Sequence, residues 1–247
     1  MDKSFITRDV IYHLRRIPGG ICIARTDRMN PFYKYFFPDL YIHYDIKETT
    51  LEKILARQSI MIEKEKSKKK QGKKVDPSSI LIMDDCLAQK KSWAKDQNVM
   101  EILMNGRHYR LTYILTMQYI MGIGPELRCN FDYIFLLKED SALTKKKLWD
   151  NYASMFPSLA IFDKVFTLCT SNFCSMVIDN RKPADNVQEK VFWFKAKNRK
   201  FSFGSKMFKD MHKKFYDPLC AKNKNAYLGR NVFGKKRGEI DLNVEKI

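Results

Sequence analysis

The run Ile80-Leu81-Ile82-Met83, entered from Ser79 and closed by the paired acids Asp84 and Asp85, most constrains this chain. An unbroken apolar run of this length, as opposed to an alternating one, marks a strand buried on both faces. Such strands occur in parallel sheets with helices on each side. A helix is expected from Trp93 to Met104, then a second apolar run, Leu111–Thr116, which leads to Gln118. A link punctuated by Gly122, Gly124 and Pro125 follows, and then a third run, Tyr133–Leu137. Strands alternating with helices in this way predict an α/β domain built on a mostly parallel sheet. Ligands in such sheets sit at the carboxyl ends of the strands, where Asp84, Asp85 and Gln118 fall.

The flanking segments extend the pattern. Ser4 to Arg16 reads as a helix, with Ile6, Val10 and Leu14 on one face, stopped by Pro18-Gly19-Gly20. Ile21–Ala24 reads as a buried strand and Leu40–Tyr44 as another. Thr50 opens a long helix marked by Leu51, Ile54, Leu55, Gln58 and Ile62. Residues 63–74, rich in lysine, read as a solvated basic loop and secondarily as a DNA contact. Phe173–Ile178 and Val191–Lys195 are late strand candidates. The expected organisation is one core over residues 1–185, followed by a basic extension of the same domain over 186–247.

Charge narrows the class of partner. Lys plus Arg exceed Asp plus Glu by 46 − 28 = 18, and residues 190–247 carry 16 − 5 = 11 of that excess. This favours a polyanionic partner over a generally basic composition. The segments Lys68–Lys74 and Lys195–Lys214 are the expected phosphate contacts. Phe194, Phe201 and Phe203, interleaved with cations, read as core residues more readily than as stacking platforms. The six cysteines form no C-x-x-C pair, which suits reduced thiols, and the four histidines lack zinc-ligand spacing. No apolar stretch is long enough to span a membrane, and the first residues lack a signal-peptide pattern. No strongly amphipathic basic helix with an aromatic face is expected, which weakens a membrane-surface reading.

The residues that carry chemistry are few. Asp84 at a buried strand's tip can hold Mg²⁺, and Asp85 beside it can orient or deprotonate a water. A polar turn after a core strand accounts for the pair equally. Gln118 can sense a terminal phosphate, or simply end a strand. Arg107, after Gly106, can reach a phosphate of the same or a neighbouring subunit, or merely follow a helix C-cap. Arg128 is a further phosphate candidate. A phosphate-binding loop, G-x-x-x-x-G-K-[ST], is represented only by Lys3-Ser4, with Asp2 where its second glycine belongs.

Taken in order, Ile80–Cys86, Met104-Asn105-Gly106-Arg107-His108-Tyr109, Thr116-Met117-Gln118-Tyr119 and Leu127–Tyr133 resemble the genome-packaging ATPases of poxviruses and related large and giant DNA viruses. These belong to the FtsK–HerA branch of P-loop NTPases. Arg8-Asp9 and Asn30-Pro31-Phe32-Tyr33 are similar to the same family, and the likeness covers roughly residues 3 to 180. The resemblance implies a RecA-like P-loop fold whose first strand and most of whose P-loop are missing from this sequence. It implies ATP and Mg²⁺ as cofactors, with Asp84 and Ser4 on the metal. Lys3, Ser4 and Arg128 would lie on the nucleotide, with Asp85, Gln118 and Arg107 in catalysis. It implies double-stranded DNA, a homo-oligomeric ring and capsid or portal components as partners, in the virion and the host cytoplasm. A fragment, a misassigned start and a copy without activity all remain open. In the last case the chain would be a DNA-binding or assembly subunit with the same fold.

Overall fold

A computed structural model describes residues 3–86, 96–181 and 186–217. Helix α1 (Lys3–His13) leads to β1 (Gly20–Ala24), then the two-residue β2 (Ile42–His43), α2 (Glu48–Lys70) and β3 (Ser79–Asp84). Helix α3 (Gln97–Asn105) and β4 (Leu111–Thr116) complete a four-stranded sheet, ordered β2-β1-β3-β4 and parallel at every pairing. The expected parallel sheet is therefore present, and β3 is buried along its whole length.

Alternation along β3 distributes its side chains to the two faces. Leu81 and Met83 pack with Leu51 and Ile54 of α2 and with Val99, Ile102 and Leu103 of α3. Ile80 and Ile82 pack with Ile11 of α1, Phe36, Phe37 and Phe203. Phe203 is fully buried there, so the late basic segment contributes a side chain to this core. Gly20 is required where β1 enters the sheet, because a Cβ there would stand 2.3 Å from the Ile80 carbonyl oxygen. Asp9, at 2% exposure, holds the late segment down: its carboxylate accepts from the Lys197 amide at 2.8 Å and the Arg199 Nε at 3.1 Å.

Three expectations change. The lysine-rich stretch is helical as far as Lys70, because Glu and Lys are good helix formers, Glu65 lies four residues ahead of Lys69, and the closing lysines suit the helix dipole. The helix ends in a Schellman turn, with Gly72 at φ 71° and amides 72 and 73 bonded to the carbonyls of Lys69 and Lys68. Second, β5 (Tyr133–Leu136) does not join the parallel sheet. After α4 (Pro125–Arg128), it starts a separate antiparallel sheet, β5-β6-β7, with β6 (Ser175–Asp179) and β7 (Val191–Phe194). That sheet covers its own core on α5 (Ala142–Tyr152) and α6 (Leu159–Cys169). Third, α7 (Lys206–Phe215) is a strongly amphipathic basic helix: it turns Phe208 onto Tyr41 and leaves Met207, Met211 and Phe215 exposed. The start expected for α3 at Trp93 lies outside the described residues. The observed helix is capped by Asp96, whose carboxylate accepts from the amides of Asn98 and Val99.

The outer strands β4 and β5 face one another across a cleft of about 1210 Å³.

Candidate functional site

The register places the chemistry. Asp84 pairs with Thr116 across β3 and β4, so both strands end level and deliver their next residues to one spot. Asp84 is 6% exposed. The Thr116 hydroxyl donates to its carboxylate and accepts from the Asp85 amide at 3.1 Å. Burial pushes the Asp84 carboxyl up from its ordinary range, against the opposing pull of the Thr116 hydroxyl and the Lys3 ammonium. Asp85 follows with φ at 50°, a left-handed conformation that turns the chain sharply out of the strand. The turn presents its carboxylate to the open side, where Lys3 Nζ lies at 3.7 Å from Oδ1 and Gln118 Nε2 donates to Oδ2 at 2.5 Å.

Around this knot the interior holds groups that stay protonated. Burial raises the Cys22 thiol and the Tyr33 phenol, and burial with the two neighbouring acids pushes the Cys86 thiol up to about 12. The Tyr33 hydroxyl is buried near Asp84 without meeting hydrogen-bond geometry. The Asp27 carboxylate caps the aromatic turn, accepting from the amides of Phe32 and Tyr33 at 2.5 and 2.8 Å.

Of the residues singled out in the sequence, Lys3, Asp84, Asp85 and Gln118 converge here, and Ser4 sits beside Lys3 in the first turn of α1, whose leading amides point out of the helix. Arg107 does not converge. It precedes β4, at the opposite end of the sheet from the acids, and pairs with Asp132 at the surface. Six residues of strand make that separation about 20 Å. Arg128 is 8% exposed and occupied: Nε donates to the Ile123 carbonyl at 2.9 Å, a terminal nitrogen bonds Asn151, and the guanidinium lies over Tyr152. Thr116 was not singled out for its hydroxyl. Its signal was present, since two six-residue strands of equal length, one ending in Asp and one in Thr, align at their tips.

Among the described residues no group of three or more His, Cys, Asp and Glu is placed to hold a metal. The Asp84 carboxylate and the Ser4 hydroxyl are hard oxygen donors, a set whose chemistry would fit a cation that keeps most of its waters better than a fully caged ion.

No family model matches the sequence. The chain is 62% identical to "Uncharacterized protein L437" of Acanthamoeba polyphaga mimivirus, over 98% of this chain and 86% of the relative. It is 30% identical to "Uncharacterized protein 075L" of Invertebrate iridescent virus 6, over 90% of this chain and 84% of the relative. In structure it is similar to the genome packaging NTPase B204 of Sulfolobus turreted icosahedral virus 2 in complex with AMPPCP. That match has a TM-score of 0.52 and 14% identity, and covers 80% of this chain and 94% of the other. The fold is therefore the α/β fold of that viral packaging NTPase.

Proposed function

Because the chain belongs to the large-DNA-virus family that includes mimivirus L437 and its iridescent-virus counterparts, with the fold of a packaging NTPase, we propose that it is an ATP-driven motor subunit that moves double-stranded viral DNA into a capsid. The observation that carries this reading is the convergence of Lys3, Asp84, Asp85 and Gln118 at the level carboxyl ends of β3 and β4.

Each residue has a role that follows from its surroundings. Asp84 and Ser4 would hold Mg²⁺, which when bound neutralises phosphate charge. Lys3, at the start of α1, exchanges its Asp85 partner for the phosphates. Asp85, released from Lys3 and steadied by Gln118, accepts a proton from the attacking water. Thr116 keeps the Asp84 carboxylate aimed at the site. Arg107 lies too far along the sheet to serve its own subunit, so in a ring it acts on the neighbouring subunit's nucleotide. Arg128 orients α4 and has no part in phosphate contact. The exposed lysines of 69–74 and the tail beyond Lys195 bind the DNA backbone through charge.

The test is ATP hydrolysis with and without duplex DNA, by the protein carrying whatever coding sequence precedes Met1. DNA-stimulated turnover that falls at least 100-fold in Asp85→Asn is expected. Turnover unaffected by that substitution refutes the mechanism. Salt-sensitive DNA binding with no turnover in any form of the protein identifies a non-catalytic assembly subunit instead.

A further inference from the structure

We infer that α7 is an interfacial helix that holds the protein, reversibly, on an anionic lipid surface. Met207, Met211 and Phe215 enter the headgroup boundary, and the lysines beside them meet the lipid's negative charge. This goes beyond the packaging reading and does not depend on ATP hydrolysis.

The helix presents three faces. Successive residues turn by about 100°, so Phe208 and His212 share one stripe and Met207, Met211 and Phe215 share the next. The first stripe is sealed to the domain. The Phe208 ring stacks on Tyr41 with 3.9 Å between centroids, and His212 Nδ1 accepts from the Leu40 amide at 3.3 Å. Tyr216, just past the helix, donates its hydroxyl to Asp39. The Ser205 hydroxyl caps the start, accepting from the Phe208 amide at 3.3 Å. The helix is therefore already formed, and a partner need not order it.

The second stripe is exposed at all three residues, over a length of about 12 Å. The third face is basic: Lys206, Lys209, Lys213 and Lys214 stand against Asp210, an excess of 4 − 1 = 3. Among the described residues no carboxylate pairs with Lys206, Lys213 or Lys214. Lys214 Nζ lies 5.3 Å from the centroid of the Phe215 ring, so cation and apolar stripe adjoin.

This pairing selects the occupant. Duplex DNA offers phosphates but no apolar surface along its backbone, and would leave the methionines and Phe215 in water. A second copy brings the same positive excess. Residues 218–247 carry 7 − 3 = 4 excess positive charges, so charge does not favour them either. An anionic bilayer offers both terms, with negative headgroups at the level of the lysine heads and acyl chains just beneath. A stripe this short binds only when both act together. Of the basic tail, α7 is thus given to lipid, and the DNA contact falls to the lysines outside it.

The experiment is co-sedimentation of the 247-residue chain with phosphatidylcholine vesicles, with and without about 30% phosphatidylserine. Binding is expected to the anionic vesicles alone, and to weaken as salt rises from about 0.1 to about 0.5 M. Met207→Ser, Met211→Ser and Phe215→Ser together should lower lipid affinity about tenfold or more, with the urea midpoint and duplex DNA affinity unchanged. Glutamine at Lys206, Lys213 and Lys214 should lower it as much at low salt. Phe215→Trp should shift its emission to the blue on anionic vesicles only. Equal binding to neutral vesicles, or anionic binding that survives the triple serine variant, overturns the proposal. No binding to either vesicle overturns it in favour of an acidic protein partner. Loss of DNA affinity in the serine variant assigns the stripe to nucleic acid, and loss of self-association assigns it to a second copy; either result also overturns it.

Discussion

Thr116→Val isolates the contact that holds the buried acid. Valine matches threonine in shape, so no cavity opens, and only the hydroxyl is lost. Two hydrogen bonds go with it: the one donated to the Asp84 carboxylate and the one accepted from the Asp85 amide at 3.1 Å. The first is charge-assisted and contributes about 1.5–3 kcal/mol; the second contributes about 1 kcal/mol. At neutral pH the variant should therefore be about 2–4 kcal/mol less stable. The pH dependence has a definite sign. Burial raises the folded-state pKa of Asp84 above its ordinary 3.8, so the folded state holds this proton more tightly than the unfolded state. The stability this contributes is complete below 3.8 and is lost as pH rises through the folded value. Removing the hydroxyl, whose hydrogen bond pulls that value down, raises it further. The cost of the substitution should then grow between about pH 3.5 and neutrality and level off above. Urea denaturation of both proteins across that range measures it. A cost that is flat with pH, or below about 0.5 kcal/mol at neutrality, refutes the claim that Thr116 holds a buried charge.

The other predictions concern different parts of the molecule. Asp85→Gly should leave stability within about 1 kcal/mol, since relief of φ 50° and of the like charge beside Asp84 offsets the lost Lys3 and Gln118 contacts and the entropy of glycine, while ATP hydrolysis falls at least 100-fold; urea midpoints and turnover check the two halves. Asp9→Ala should cost about 2–4 kcal/mol, because the Lys197 amide and Arg199 lose a buried partner, and should expose residues 197–203 to limited proteolysis. Replacing Lys69, Lys70, Lys73 and Lys74 with glutamine should reduce the slope of log DNA affinity against log salt by about 3–4, with thermal stability unchanged. A slope that does not move places the DNA elsewhere.

Much of the parallel sheet was legible because its strands announce themselves locally. Ile80–Met83 is apolar without interruption and is buried along its whole length, while Leu111–Leu115 is strand-like with Thr112 as its one polar residue; the acids and Gln118 then fall at their carboxyl ends by counting. The lysine stretch misled, because charge reports exposure and not backbone state, and Glu and Lys are as content in a solvated helix as in a loop. Arg107 and Arg128 looked alike as phosphate candidates, since a guanidinium after a glycine or a short helix has no local signature of its partner. Only packing separates them, one at the far end of β4 on Asp132 and the other buried against Ile123, Asn151 and Tyr152. Likewise Tyr133–Leu136 reads as a strand from its composition, but its antiparallel partner, β6, lies some forty residues ahead in the chain. Which strand it pairs with depends on α5 and α6 folding back over it. By itself the sequence determined which segments are strands, which way their ends face, and that two acids stand at one tip, because periodicity and burial are properties of short windows. The tertiary structure alone decided which side chains meet there, that Thr116 secures Asp84, and that two open edges share one cleft, because those depend on register and packing between segments far apart in the chain.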